Sequence, residues 1–252
     1  MGEVVLAYPS DLINRLLPEG FSGPTLSREE FGVQALHHAV WENRALLKER
    51  AQEKQAIDYS IFIHPVADPE EADTISLYQR AKTVGEEKLM GNFSVGYGGH
   101  VDQPDRQVDA DGYTLFVPTL NASHEREVRG EEISITGPIT QDAQLPVEQQ
   151  SAHAGWINDN SNAIGQIHFA AVTITTLPYG SIITSNEPNQ VIQKPVTLAE
   201  LQALDNKENW TAILAQALAP YFNAKGKFIG VIHQDEAGVR RYEAPAEFVY
   251  TA

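Results

Sequence analysis

The 252-residue sequence reads as a mixed α/β domain. Two observations carry that expectation. Segments whose apolar residues alternate with period two, such as Ile57, Tyr59, Ile61 and Ile63, are interspersed with segments rich in helix formers, which is the pattern of helices packed on a mixed sheet. A glycine-hinged strand, Phe93-Ser-Val-Gly-Tyr-Gly-Gly-His-Val101, also precedes a carboxylate-bearing helix, Glu125-Arg-Glu-Val-Arg-Gly-Glu-Glu132. No repeat, low-complexity tract or interdomain linker interrupts the pattern, so residues 1–252 are expected to form a single domain.

Val4–Tyr8 is an apolar strand, and Ser10 or Asp11 caps a short helix reaching Leu17. After a loop, Ser27 and Glu30 form a capping box for a helix running to Gln55, with Phe31, Leu36, Val40, Leu46 and Leu47 as a broken apolar stripe. Ile57–Ile63 and Thr74–Arg80 form a hairpin, and Asn92–Tyr97 is a third strand. Tyr113–Val117 and Ile133–Ile135 are short strands around the acidic helix, and Asp102–Gly112 is a polar loop. Ala152–Asn158 and Ile164–Thr176 are long strands that pair across Asp159-Asn-Ser-Asn162, whose residues favour turns. Pro178–Asn189 is a loop, Thr197 caps a helix containing Glu200, and Asn206–Phe222 is another helix. Lys227–Ile232 and Arg240–Tyr250 close the chain as a hairpin around Asp235–Gly238.

With 34 acidic and 18 basic residues the formal charge is −16, which repels phosphate backbones and anionic lipid and excludes a general nucleic-acid binder. A small anionic substrate then needs a metal ion or a local basic cluster. The absence of cysteine removes disulfides, thiolate catalysis and thiolate metal sites. No basic region precedes the short apolar run at the N-terminus, and no apolar stretch approaches ~18 residues, so a cytoplasmic protein without a membrane segment is expected.

Glu127 and Glu131 are four residues apart, and on an α-helix they would project from one face as neighbours. Such a pair suits Mg²⁺, which is held by one or two carboxylates, waters and substrate phosphate oxygens. A glutamate-rich run in so acidic a chain is ordinarily a solvated helix face. Gly96, Gly98 and Gly99 weigh against that reading, because glycines in a strand mark a bend or a close approach. His100 and His168 are candidates to orient substrate or water, against a packed structural role. His37 and His38 diverge as neighbours on a helix and cannot share an ion. Asn158, Asp159 and Asn160 either line a pocket mouth or build a turn, Arg80, Lys82 and Lys88 either attract phosphate or sit on the surface, and Trp41, Trp156 and Trp210 either stack on a base or fill the core.

Ser94-Val-Gly-Tyr-Gly-Gly-His-Val101, the Arg126-Glu127-Val128 stretch, and Ile157-Asn-Asp-Asn-Ser-Asn162 leading to Gly165-Gln-Ile-His168 together resemble the Nudix hydrolase superfamily, and more narrowly its predicted phosphoesterase branch. The resemblance spans Val4 to Tyr221, including Tyr78-Gln-Arg80, Lys82 and Gly85-Glu86. It implies an α/β/α sandwich around a mixed sheet. Residues 1–55 would add an N-terminal strand and helices, 56–224 the core, and 225–252 a C-terminal hairpin extension. It further implies hydrolysis of a nucleoside diphosphate derivative with Mg²⁺ or Mn²⁺. Glu127 and Glu131, with Glu132, would be the metal ligands and Arg126 would orient a carboxylate. Arg80, Lys82, Gly98, Gly99, His100, Asn158, Asp159 and His168 would face the substrate.

The motif departs from the superfamily pattern at two positions. Gly130 stands where the first of two paired glutamates belongs, displacing the acidic pair by one residue to Glu131-Glu132, and Pro118 stands where an upstream glutamate belongs. A second reading is therefore a Nudix-fold nucleotide-binding or regulatory protein that does not hydrolyse. A third is an interaction protein whose terminal hairpin docks a partner or a second copy, giving a homodimer, although no residue fixes the oligomeric state.

Overall fold

The computed structural model describes residues 3–50, 52–81, 89–137, 151–234 and 240–243. Lys82, Gly85, Glu86, Lys88, Asp235–Gly238 and residues 244–250, which the sequence reading invoked, lie outside them. In chain order the elements begin with β1 (Val4–Pro9), α1 (Ser10–Leu16), β2 (Gly20–Ser22), α2 (Arg28–Ala35), β3 (Val40–Asn43), α3 (Arg44–Arg50) and β4 (Glu53–His64). They continue with β5 (Thr74–Ile75), β6 (Tyr78–Arg80), β7 (Phe93–Ser94), α4 (Phe116–Arg126), β8 (Ile133–Thr136), β9 (Ser151–Asn158) and β10 (His168–Thr176). The last are β11 (Ile182–Ser185), β12 (Gln190–Ile192), β13 (Val196–Thr197), α5 (Leu198–Ala203), α6 (Asn209–Ala217), β14 (Val231–Gln234) and β15 (Arg240–Glu243).

Among the described residues the largest sheet runs β13-β5-β4-β10-β9-β15-β14, with β1 on β4, β3 on β1 and β2 on β9. It is mixed: β1 and β5 are antiparallel to β4, whereas β15 is parallel to β9. By contacts the chain divides into two compact units. One comprises Met1–Tyr59, Gly98–Glu127 and Gly155–Val172, and the other Ser60–Tyr97, Val128–Ala154 and Thr173–Ala252.

The first unit is an α/β/α sandwich in its own right. Successive residues of β1 point to opposite faces. Leu6 and Tyr8 join Leu12 and Ile13 of α1, Phe31 of α2, Phe116 and Leu120 of α4, Trp156 and Phe169 in one buried cluster. Val5 and Ala7 pack with Leu47 of α3 in another. Burial on both faces explains why the strand reads as a continuous apolar run. Aromatic rings bind the larger cluster, with Phe31 4.6 Å from Phe116 and 4.8 Å from Trp156 between ring centres. The capping box of α2 is formed, Glu30 N–H donating to Ser27 Oγ at 3.1 Å and Ser27 N–H to Glu30 Oε2 at 2.9 Å.

In the second unit Phe62, Tyr78, Tyr97, Val128, Ile133, Leu177 and Ile183 form the core. Thr197 caps α5 as expected, and it does so through a capping box with Glu200. The terminal hairpin β14-β15 is paired into the sheet through Arg241 and His153 and is anchored by buried Tyr242, 3.1 Å from Thr176 Oγ1.

Several expectations change. The long helix to Gln55 is broken into α2, β3 and α3, because β-branched Val40 and aromatic Trp41 pair with β1 instead. Tyr113–Val117 is no strand, since Phe116 already opens α4 and only Thr114 makes an isolated bridge, to Val108. The loop after Pro178 contains β11, antiparallel to β8. Helix α1 begins at Ser10 itself, with no side-chain cap. No helix among the described residues is long and apolar enough to cross a membrane.

Gly98 tests the tightness of the first unit. Its φ is +129°, and an added Cβ would stand 2.2 Å from the Asp58 carbonyl oxygen. Gly98→Ala is expected to cost more than about 3 kcal/mol in urea unfolding. Gly112→Ala, with φ +84° but open space around it, should cost about 1 kcal/mol.

Candidate functional site

The site in the first unit is built on the close approach of Gly98-Gly99 to β4. Asp58 N–H donates to the Gly99 carbonyl at 3.1 Å, and the bridge between Ile57 and His100 sets the register. Asp58 and Gly99 therefore face the same side of the sheet. At Gly99 the space of a Cβ is taken by the Glu127 carboxylate, whose Oε1 lies 3.0 Å from that position. Glu127 is 8 % exposed.

Arg126 holds this carboxylate. Its Nη1 donates to Glu127 Oε1 at 2.7 Å, while Nε and Nη2 donate to the two oxygens of Asp105, each at 2.9 Å. Nη2 also donates to the His100 carbonyl at 3.2 Å and lies 3.5 Å from Asp102 Oδ2. A planar guanidinium bound bidentately on one edge has little rotational freedom, so Glu127 is fixed in direction as well as charge. The loop that carries Asp105 is itself closed by Asp102 N–H donating to Asp105 Oδ2 at 2.9 Å. Burial, followed by the charge of Glu3, raises the Asp102 pKa to about 6.

Beside Glu127 stands a group that the sequence reading missed. Asp58 is fully buried, and its Oδ2 lies 3.0 Å from His124 Nδ1 on α4. Its Oδ1 has no hydrogen-bond partner among the described residues. Arg28 lies close enough for its charge to interact with Asp58, and burial lowers the Arg28 pKa. The signal was legible: Asp58 is a carboxylate set in a largely apolar run, with Ala56, Ile57, Tyr59, Ile61 and Phe62 around it.

His100 and His168 come together, with Nε2 atoms 3.1 Å apart. His168 Nδ1 lies 2.7 Å from the Ile164 carbonyl, so it carries the proton and His168 Nε2 accepts from His100 Nε2–H. Burial first, and then the charges of Arg44, His168 and Lys48, lower the His100 pKa well below the usual histidine value, which keeps the His100 imidazole neutral.

Asn158 and Asp159 have local partners. Asn158 Oδ1 accepts from buried Lys54 Nζ at 2.7 Å and its Nδ2 donates to the Leu17 carbonyl at 2.9 Å. Lys54 Nζ also donates to the Gly165 carbonyl at 2.9 Å. Asp159 Oδ1 accepts from Ser161 N–H at 2.9 Å and Oδ2 from Asn162 Nδ2 at 3.0 Å, closing the turn.

The remaining candidates belong to the second unit. Arg80 Nε pairs with Glu208 Oε1 at 2.7 Å. Glu127–Glu131 is a π-helical turn that continues α4. Glu131 is exposed, whereas Glu132 is buried and accepts from Gln190 Nε2. Among the described residues no three or more His, Asp or Glu side chains converge as a metal-binding group.

The fold is that of solved Nudix hydrolase structures. The structural neighbours are Nudix hydrolases. Tm1382, provisionally classed as a Nudix hydrolase, superposes with a TM-score of 0.62 and 20% identity over 87% of this chain and 100% of its own. A Nudix hydrolase from Alicyclobacillus acidocaldarius gives 0.43 and 14% over 66% and 90%. In sequence, Protein YmaB of Bacillus subtilis (strain 168) is 25% identical over 225 residues, covering 86% of this chain and 98% of that protein. No protein-family model matches the chain.

Asp105→Asn leaves Arg126 half satisfied in a buried setting and is expected to cost about 3 kcal/mol in urea unfolding. Lys54 gives a pH signature, because burial lowers its pKa to about 8 from 10.5. Between those values the unfolded chain binds more protons than the folded one, so stability rises with pH. Wild type should therefore gain on Lys54→Met between pH 7.5 and pH 10, as read by the urea midpoint at each pH.

Proposed function

We propose that the chain is a Nudix hydrolase that cleaves the pyrophosphate linkage of a small nucleoside diphosphate derivative with Mg²⁺ or Mn²⁺. The observation that carries this reading is the Glu127 carboxylate, buried in the side-chain space of Gly99 and aimed by Arg126. A glycine cradle occupied by an oriented carboxylate fits an ion that needs only one or two acidic ligands beside waters and substrate phosphate oxygens. Glu127 would be the residue that holds it.

When bound, the ion supplies charge neutralisation at the phosphates and a more acidic water. The chain's own residues do the positioning. Arg126, locked by Asp105, keeps Glu127 in place, and His100, neutral and bonded to His168, offers the substrate a polar wall without adding charge. The chain's acidic balance favours a small nucleotide over a polynucleotide.

Gly130 and the Gln190 bond of Glu132 favour the second reading, a Nudix-fold binding protein without turnover. Incubation with ADP-ribose, ADP-glucose and related compounds in Mg²⁺ or Mn²⁺, with products resolved by ion-exchange chromatography, separates the two. Metal-dependent release of a nucleoside monophosphate is expected. Thermal stabilisation by these compounds without product supports the binding reading instead. Glu127→Gln should lower turnover at least ~100-fold, whereas exposed Glu131→Gln should stay within about threefold.

A further inference from the structure

We infer that Asp102 is a proton-operated switch on the Arg126 clamp: ionised, it competes with Glu127 for the guanidinium, and protonated, it leaves Arg126 to Asp105 and Glu127. The switch governs the charge that Glu127 presents, and in that consequence it rests on the metal-binding reading proposed above.

Arg126 is shared unequally among its carboxylates. Asp105 takes Nε and Nη2 at 2.9 Å each, and Glu127 takes Nη1 at 2.7 Å. Asp102 Oδ2 stands 3.5 Å from Nη2, beyond the length of about 2.7–2.9 Å usual for a charge-assisted hydrogen bond. Its Oδ1 is buried and accepts no hydrogen bond among the described residues. A carboxylate so placed loses hydration without recovering it in bonds, which favours its protonated form.

The surrounding charges add to that preference. Just ahead of β1, Glu3 presses on Asp102 with a like charge, and Asp105, at the end of the turn Gln103–Asp105, does the same. From α3 Arg44 opposes them, but its Nη1 is already paired with Glu3 Oε2 at 2.8 Å. Lys48, also on α3, acts with its charge on His100. The other oxygen of Glu3 lies 4.0 Å from Nδ1 of His100, whose neutral ring adds no counter-charge. Opposite Asp102, β1 offers apolar Val5. From α4 Arg126 attracts the carboxylate, with Glu127 bonded to the same guanidinium. Burial, and after it Glu3, outweighs the two arginines and lifts the Asp102 pKa from 3.8 to about 6.

A proton at Asp102 is felt at Glu127 because both acids meet the same cation. Asp102 N–H donates to Asp105 Oδ2 at 2.9 Å, and Asp105 N–H to the Asp102 carbonyl at 2.9 Å. The acid that titrates and the acid that anchors Arg126 thus belong to one turn. The Asp102 side chain is 23% exposed, enough to exchange a proton with solvent. Above about pH 6 the guanidinium faces three negative charges, and Glu127 keeps more of its own for a bound cation. Below it two remain, and Arg126 neutralises Glu127 more fully.

The test follows the Asp102 carboxyl carbon and the Arg126 Nε–H by NMR across that range in metal-free wild type and in Asp102→Asn. The Asp102 midpoint is expected at about 6. The Arg126 resonance should move with the same midpoint in wild type and lose that step in Asp102→Asn. An Asp102 midpoint at the ordinary aspartate value, about 4, overturns the switch, as does an Arg126 step that persists in the variant. Stability supplies an independent check. A carboxyl whose folded pKa exceeds its unfolded one binds more protons in the folded state between the two values, so its contribution is lost as pH rises through the folded value. The urea midpoint of wild type should therefore fall relative to that of Asp102→Asn between about pH 5 and about pH 7.5, and a relative rise rejects the switch. Mn²⁺ titration calorimetry reads the consequence: wild type should bind at least ~threefold more tightly than Asp102→Asn at about pH 7.5 and equally at about pH 5. The same ratio at both pH values rejects it. If Asp102→Asn does not fold, the wild-type resonances decide: coincident midpoints at about 6 support the switch, and separate ones reject it. None of these readouts requires turnover, so a chain that hydrolyses nothing overturns the hydrolytic reading while the NMR midpoints still decide the switch.

Discussion

The missing side chains at Gly98 and Gly99 are the constraint on which the site depends. Gly98 lets the chain pass so close to β4 that any Cβ would enter the Asp58 carbonyl. One residue later, Gly99 gives its empty side-chain space to Glu127. The same contact thus fixes the strand register, brings Asp58 opposite Gly99, and admits the end of α4 to the sheet. A larger residue would lose the backbone hydrogen bond and the carboxylate's seat at once. The two glycines are therefore best understood through the atoms that occupy their surroundings rather than through loop flexibility.

Electrostatics around that contact are organised by one cation. In a chain with a formal charge of −16, Arg126 gathers Asp102, Asp105 and Glu127 about itself. Its bonds to Asp105 come from a short loop whose capping box is closed by the same aspartate. Glu127 is consequently oriented from behind by a group that is itself over-determined. This is a way to keep a buried carboxylate from swinging toward solvent when nothing is bound.

The fold class was legible because β1, β4, β9 and β10 announce themselves by burial and the helices by their caps. Ser27 with Glu30 and Thr197 with Glu200 make the bonds their spacing implies. The boundaries at Val40–Asn43 and Phe116 were not, since propensity there is decided by pairing with β1 and by packing of α4 against the aromatic cluster. In the site, the Gly98-Gly99 and Arg126-Glu127 motifs were visible as local strings. Asp58 and His124 were harder to join, because they are 66 residues apart in sequence and only the folded register unites them. Asp105 was equally hidden, read as part of a polar loop when it is the anchor of Arg126.

The π-turn at Glu127–Glu131 settles how a helix absorbs an insertion. A turn closed between residues five apart, instead of four, accommodates one additional residue locally while leaving the helix before it undisturbed. Glu131 at the end of the turn is exposed and Glu132 after it is buried. Motif spacing along the chain and spacing around the helix axis are different measures, and Gly130 is the residue at which they part company.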